Sequence, residues 1–217
     1  MPTRRRAVLI LATLMLLALA SFWAALAVGS IAVAPGDIIA GLLGREAPGA
    51  DIINELRLPR ALAGFACGGL LALAGALMQV LLRNPLADPY ILGISGGAGV
   101  GASFAILIGL PALGIDGLAF AGALGSMLLV FGLAHGDGSW TQTRLLLTGV
   151  IVAAGCGALV ALMLAIAPED RLRGMLFWLM GDLAQAGSAW PPLVVLAAAL
   201  VLAMPFAREL NLLARGL

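Results

Sequence analysis

The side chains able to do chemistry are few and scattered. One histidine, His135, stands beside Gly136 and Asp137, and two cysteines, Cys67 and Cys156, lie inside apolar runs without C-x-x-C spacing. Neither pattern supports a zinc site or a disulfide framework, and His135 reads as an interfacial residue rather than a catalyst. Lysine is absent, so all twelve cations are arginine. The phosphate loop G-x-x-x-x-G-K-[ST] therefore cannot form, and any nucleotide energy must come from a partner. Serine and threonine are sparse, and G-x-S-x-G occurs once, at 93–97, within a run of small residues. The remaining polar groups fall at the edges of apolar runs: Arg57 and Arg60, three apart; Asn84 and Asp88, each followed by proline; Asp137; Gln142 and Thr143. Such groups can orient, gate or dock. A membrane enzyme would need them clustered at one face, and Asn84, Asp88, Asp137 and Thr143 offer little to work with. No cofactor and no metal ion is indicated.

Apolar runs must position these groups. Hydrophobic residues make up 62% of the 217-residue chain and charged residues 11%, against about 25% charged in a soluble domain; the mean hydropathy is +1.10. The net charge of +1 gives no footprint for nucleic acid. A bilayer core is crossed by about 20 apolar helical residues, and six stretches qualify: 7–28, 61–82, 91–113, 117–135, 145–167 and 190–207. The fold class expected is all-α, a polytopic transmembrane helix bundle in one domain. The first stretch follows Arg4, Arg5 and Arg6 and reads as an uncleaved anchor, its apolar run being longer than a signal-peptide core. With the N-terminus inside, the inner loops carry seven arginines and the outer loops five, the latter diluted by Asp37, Glu46, Asp51, Glu55, Glu169, Asp170 and Asp182. This bias puts the loops of Asn84, Thr143 and Asn211 in the cytoplasm and those of Arg57 and Arg171 outside.

No acidic or basic side chain lies in the middle of a span, which removes the groups an ion-coupled carrier needs. A secondary transporter would also require broken helices repeated in both halves, and no such repeat is visible. Small residues recur at four-residue spacing: Gly64 and Gly68; Gly93, Gly97 and Gly101; Gly117, Ala121 and Gly125; Gly149, Ala153 and Gly157. Such ladders let helix backbones approach closely, and are compatible with a lined path as well. Gln79 reads as glue between helices, with substrate contact as the alternative. Pro59 marks the start of the second span, since proline is tolerated in a first helical turn. Pro85 and Pro89 disfavour helix at Asn84 and Asp88, so residues 83–97 form either an inner turn or a re-entrant element beside a water-filled path. The apolar centre of residues 168–189, at 175–180, is too short to span and reads as an outer, partly embedded helix.

Several ordered motifs resemble FecCD-type permeases, the membrane subunits of ABC importers for cobalamin, ferric siderophores and haem. They are LRLPR at 56–60, G-A-x-M-Q at 75–79, NPLADP at 84–89, LGISGGAG at 92–99, TRLLLTGV at 143–150, W-x-x-G-x-L at 178–183 with Asp182 where serine is usual, and LNLLARG at 210–216. The resemblance implies a transport subunit that is not itself an enzyme, set in the inner membrane. Its partners would be a second permease copy, two cytoplasmic ATPase subunits, an outer solute-binding protein and the surrounding lipid. It implies roughly ten spans of about 20 residues each; this chain reaches Leu217 after six, so a partial permease domain over residues 1–217 is expected, whether a truncated frame, a fragment or half of a split subunit. A truncated, inactive permease is the alternative within the family. Carried over residue by residue, Arg57 and Arg60 match outer arginines facing acidic groups of the binding protein. Asn84 and Leu86 match one inner constriction of the path, and Gln142 and Thr143 a second. Interfacial snorkelling is the other reading of Arg57 and Arg60.

Overall fold

The structure, a computed structural model, describes residues 4–135 and 141–214. Asp137 and the end of the LNLLARG motif lie outside the described residues. The chain is an all-α, multi-pass membrane protein. Helix α1 covers Arg4–Ala27, the short α2 Pro35–Leu42, α3 Leu58–Leu81, α4 Ile94–Leu107, α5 Ala112–Ala134, α6 Gln142–Ile166, α7 Glu169–Met180, α8 Trp190–Ala203 and α9 Ala207–Ala214. The described residues divide into two compact units. One comprises residues 4–70 and 183–203, the other 71–135, 141–182 and 204–214, with the division falling inside the continuous α3.

Five helical stretches are long and apolar enough to cross a bilayer: Arg4–Ala27, Ile52–Leu81, Ala112–Ala134, Gln142–Ile166 and Trp190–Leu213. The expected third span, 91–113, is different. Its helix is only Ile94–Leu107, 14 residues or about 21 Å at 1.5 Å per residue, short of the roughly 30 Å of hydrocarbon. Two left-handed glycines cut it: Gly93 at φ 69° before it and Gly109 at φ 79° after it. The second span also starts earlier than Pro59 suggests. A wide π-turn over Ile52–Arg57 runs directly into α3, and the Leu58 N–H reaches back five residues to the Ile53 carbonyl. The wide turn lets the helix continue past the missing N–H of the buried Pro59, as π-bulges commonly do.

In the second unit α4 is clasped between α5 and α6. Its glycines make the clasp. Gly97 lies against the Gly122 carbonyl and Gly101 against that of Leu118, while Gly96 meets Cys156 and Gly149 meets the Ile91 carbonyl. No Cβ fits at these positions, so the ladder at 93, 97 and 101 is a backbone-contact face. On α5 the packed face carries Ala119, Gly122 and Ser126 rather than the expected ladder: Gly117 and Gly125 border open space, as do Gly157 on α6 and Gly68 on α3. A buried cluster of Met78, Leu82, Ala87, Leu92, Val130, Ala134, Leu145 and Val152 fills one end of this unit. In the first unit the buried cluster is Leu26, Val33, Ile38 and Ile53, flanked by Phe22, Ala27, Leu58 and Ala61.

Candidate docking face and inner turns

Arg57 occupies the last position of the π-turn and turns inward along the chain. Its Nη1 donates to the carbonyls of Leu26 at 2.6 Å and Ala27 at 3.2 Å, and its Nη2 to that of Ile31. The last carbonyls of a helix have no intrahelical donor, and they carry the negative end of the helix dipole. A cation there is doubly matched: Arg57 caps α1 from 30 residues away. Gly29 makes room for it, since a Cβ at that position would lie 2.6 Å from Nη2. Arg60, one helical turn further on, is exposed and has no hydrogen-bond or ion-pair partner among the described residues. The two arginines expected to act together therefore divide: Arg57 holds backbone, and Arg60 presents a free guanidinium. Spacing could not separate them, because the acceptors of Arg57 belong to another helix.

A related arrangement closes α4. The Arg171 guanidinium lies over Gly109, where a Cβ would sit 2.9 Å from Nη2, and its Nε pairs with Asp170 at 3.3 Å. Glu169 and Asp170 occupy the first turn of α7, where the helix dipole favours acids. The expected outer helix at 175–180 is thus the second half of a longer one. It runs antiparallel to α4, with Gly174 opposite Ile106 and Leu179 opposite Gly99, and Met175 fully buried.

The NPLADP segment is an ordered turn. Asn84 Oδ1 accepts from Leu86 N–H at 2.9 Å and Asp88 Oδ1 from Tyr90 N–H at 2.7 Å, so each side chain supplies the acceptor for the N–H just past its proline and closes a tight turn. Leu86 stands 86% exposed at the tip, between buried Leu82 and Ala87. Gln142 and Thr143 are exposed in the first turn of α6, after Thr141, whose hydroxyl accepts from Arg144 N–H at 3.3 Å. Leu82, Ala87, Ala134 and Leu145 share one buried cluster, which brings the Asn84–Leu86 tip and the Gln142–Thr143 turn to the same end of the second unit. Gln79 is exposed and bonds no neighbouring helix among the described residues; the glue is elsewhere, in Ser126, whose hydroxyl donates to the Gly93 carbonyl at 2.7 Å. The sequence reading missed Ser126 and also Ser103, a 1% exposed serine on α4 whose Oγ has no partner among the described residues. Among those residues no three His, Cys, Asp or Glu side chains gather as a metal site.

The FecCD transport family model matches residues 15–217. The chain belongs to the FecCD transport family. The cobalamin import system permease protein BtuC of Halobacterium salinarum is 40% identical over 172 residues, covering 76% of this chain and 45% of the relative. The vitamin B12 import system permease protein BtuC of Salmonella typhimurium is 36% identical over 219 residues, covering 98% of this chain and 64% of the relative. A solved structure of an ABC transporter described as of metal-chelate type, in an inward-facing conformation, superposes with a TM-score of 0.74 at 29% identity, over 94% of this chain and 63% of that one. The chain thus spans about half to two-thirds of the length of the FecCD proteins it matches.

Proposed function

We propose that the chain forms part of the membrane-spanning permease of an ABC importer, lining the path of cobalamin or a similar metal chelate across the inner membrane. The observation that carries this reading is the family match along residues 15–217, joined by relatives named as cobalamin and vitamin B12 import permeases. The sequence agrees with it: without lysine no phosphate loop can form, and in this reading ATP hydrolysis falls to separate cytoplasmic ATPase subunits. A second permease copy and an outer solute-binding protein complete the assembly. In this reading the N-terminus and the turns of Asn84, Leu86, Gln142 and Thr143 face the cytoplasm, where these four residues border the inner constrictions of the path. Arg60 meets an acid of the binding protein directly, and Arg57 supports that face by fixing the end of α1. Residues 1–217 then act as one permease domain with the remaining spans.

A chimera tests it. Residues 1–217 replace the matching part of the Salmonella typhimurium permease in a strain lacking its own. Vitamin B12 uptake that depends on the ATPase and the binding protein is the expected result. A chimera that inserts, binds the ATPase and transports neither B12, haem nor ferric siderophores overturns the reading.

A further inference from the structure

A cleft runs between α1 and α3 in the first unit. Its mouth, about 560 Å³, is lined by Val28, Ile31, Leu56, Gly64 and the two arginines Arg57 and Arg60. A second cavity of about 250 Å³, lined by Ala18, Phe22, Ala25, Ala61 and Phe65 among others, continues it and shares Ala25, Ala61 and Gly64 with the mouth. From Ala27 to Ala18 the cleft follows α1 for about 14 Å, near half the thickness of a bilayer core. It therefore starts at the end of two spans, with cations, and descends through one leaflet, with apolar walls.

We propose that this cleft holds an anionic phospholipid of that leaflet, one acyl chain lying between α1 and α3 and the phosphate on Arg60 until an acid of a docking protein displaces it. The shape selects a chain over a protein partner. A helix about 10 Å across and 14 Å long fills about 1,100 Å³, more than the two cavities offer. The size falls within the roughly 300–1,000 Å³ of small-molecule sites, which are likewise apolar with a few placed polar groups. The charge selects an anionic headgroup. No acidic side chain lines either cavity, Arg57 spends its donors on carbonyls, and Arg60 keeps all of its own. A planar guanidinium suits a phosphate, whereas a zwitterionic headgroup brings a cation of its own toward two arginines.

The test needs neither ATPase nor binding protein, so it stands or falls apart from the transport reading. The purified chain is reconstituted in vesicles of equal parts phosphatidylglycerol and phosphatidylcholine, extracted gently and weighed by native mass spectrometry. The wild-type chain retains one phosphatidylglycerol in preference to phosphatidylcholine. Arg60→Gln reduces that preference about tenfold, the loss of one charge-assisted bond to phosphate, and Arg60→Lys restores part of it. Ala25→Phe narrows the cleft where its two cavities meet while leaving both arginines in the sequence, and lowers retention of both lipids; free inorganic phosphate does not compete. The proposal is overturned by equal retention of the two lipids, by an unchanged preference in Arg60→Gln, by undiminished retention in Ala25→Phe, or by a second polypeptide that covers the cleft and excludes lipid. Should Arg60→Gln fail to fold, the lipid comparison on the wild type and Ala25→Phe decide.

Discussion

Replacing Arg57 by glutamine should loosen the whole C-terminal end of the first helix. Three backbone carbonyls, of Leu26, Ala27 and Ile31, lose their donor together. A hydrogen bond to a charged group contributes about 1.5–3 kcal/mol, but these three share one half-buried side chain and water can reach the Ile31 carbonyl. A net loss of about 2–3 kcal/mol follows for the three as a set. Little else holds α1, whose only buried residue is Leu26. At about 1.4 kcal/mol per factor of ten, undocking of residues 26–31 becomes about 30- to 140-fold more frequent. Hydrogen exchange of the chain in nanodiscs reads this directly: amides of residues 28–31 and 52–57 should exchange faster by that factor, while α5 and α6 keep their protection. Gly29→Val, which places side-chain atoms where the guanidinium lies, should reproduce most of the effect, and Arg60→Gln none of it. Unchanged exchange in Arg57→Gln would refute the cap.

On α4, Gly97→Leu drives a side chain into the Gly122 carbonyl and should cost about 3 kcal/mol or more, whereas Gly125→Ala, in open space, should leave the melting temperature in detergent unchanged. Ser103→Ala removes a buried hydroxyl without a partner among the described residues and should be neutral or stabilising by about 1 kcal/mol; a clear fall in melting temperature counts against this. With Cys67 and Cys156 replaced, a cysteine at position 171 should react with an impermeant maleimide in intact cells and one at position 84 should not; the reverse pattern inverts the topology. In the chimeric importer, Arg60→Glu should slow association of the binding protein and weaken its salt dependence, because rim charges govern encounter more than affinity. An unchanged rate at low salt assigns Arg60 to the membrane interface.

The bundle was legible because hydropathy is a property of long runs: α1, α5 and α6 begin and end within a few residues of their apolar stretches. Breaks within such runs were not. Gly93 and Gly109 are left-handed hinges, yet in sequence they look like any other glycine of a membrane helix. Pro59 looked like a boundary because a π-turn leaves no compositional mark. Four-residue spacing found the Gly93–Gly97–Gly101 face of α4 but chose the wrong face of α5, where several faces carry small residues and only Gly122 meets a backbone. The Asn84 and Asp88 turns were readable from their prolines, since the restriction is local. Arg57 was singled out by family motif, but its acceptors lie beyond the reach of any spacing rule.

The cap of Arg57 on α1 also bears on how freely this sequence can drift. Along Arg4–Ala27 nearly every residue is exposed, and only the last turns pack, around Leu26 with Phe22 and Ala27. Toward its N-terminus no side chain is buried against another described residue. Almost any apolar residue serves there, so a library randomised among leucine, valine, isoleucine, alanine and phenylalanine at positions 8–19 should yield mostly folded chains. At 26–31 the same freedom vanishes: Leu26 fills a core, Gly29 leaves space for a guanidinium, and three carbonyls must converge on one side chain. A single helix is thus both a permissive and a stringent stretch of sequence, and the border between them lies about one turn before the cap.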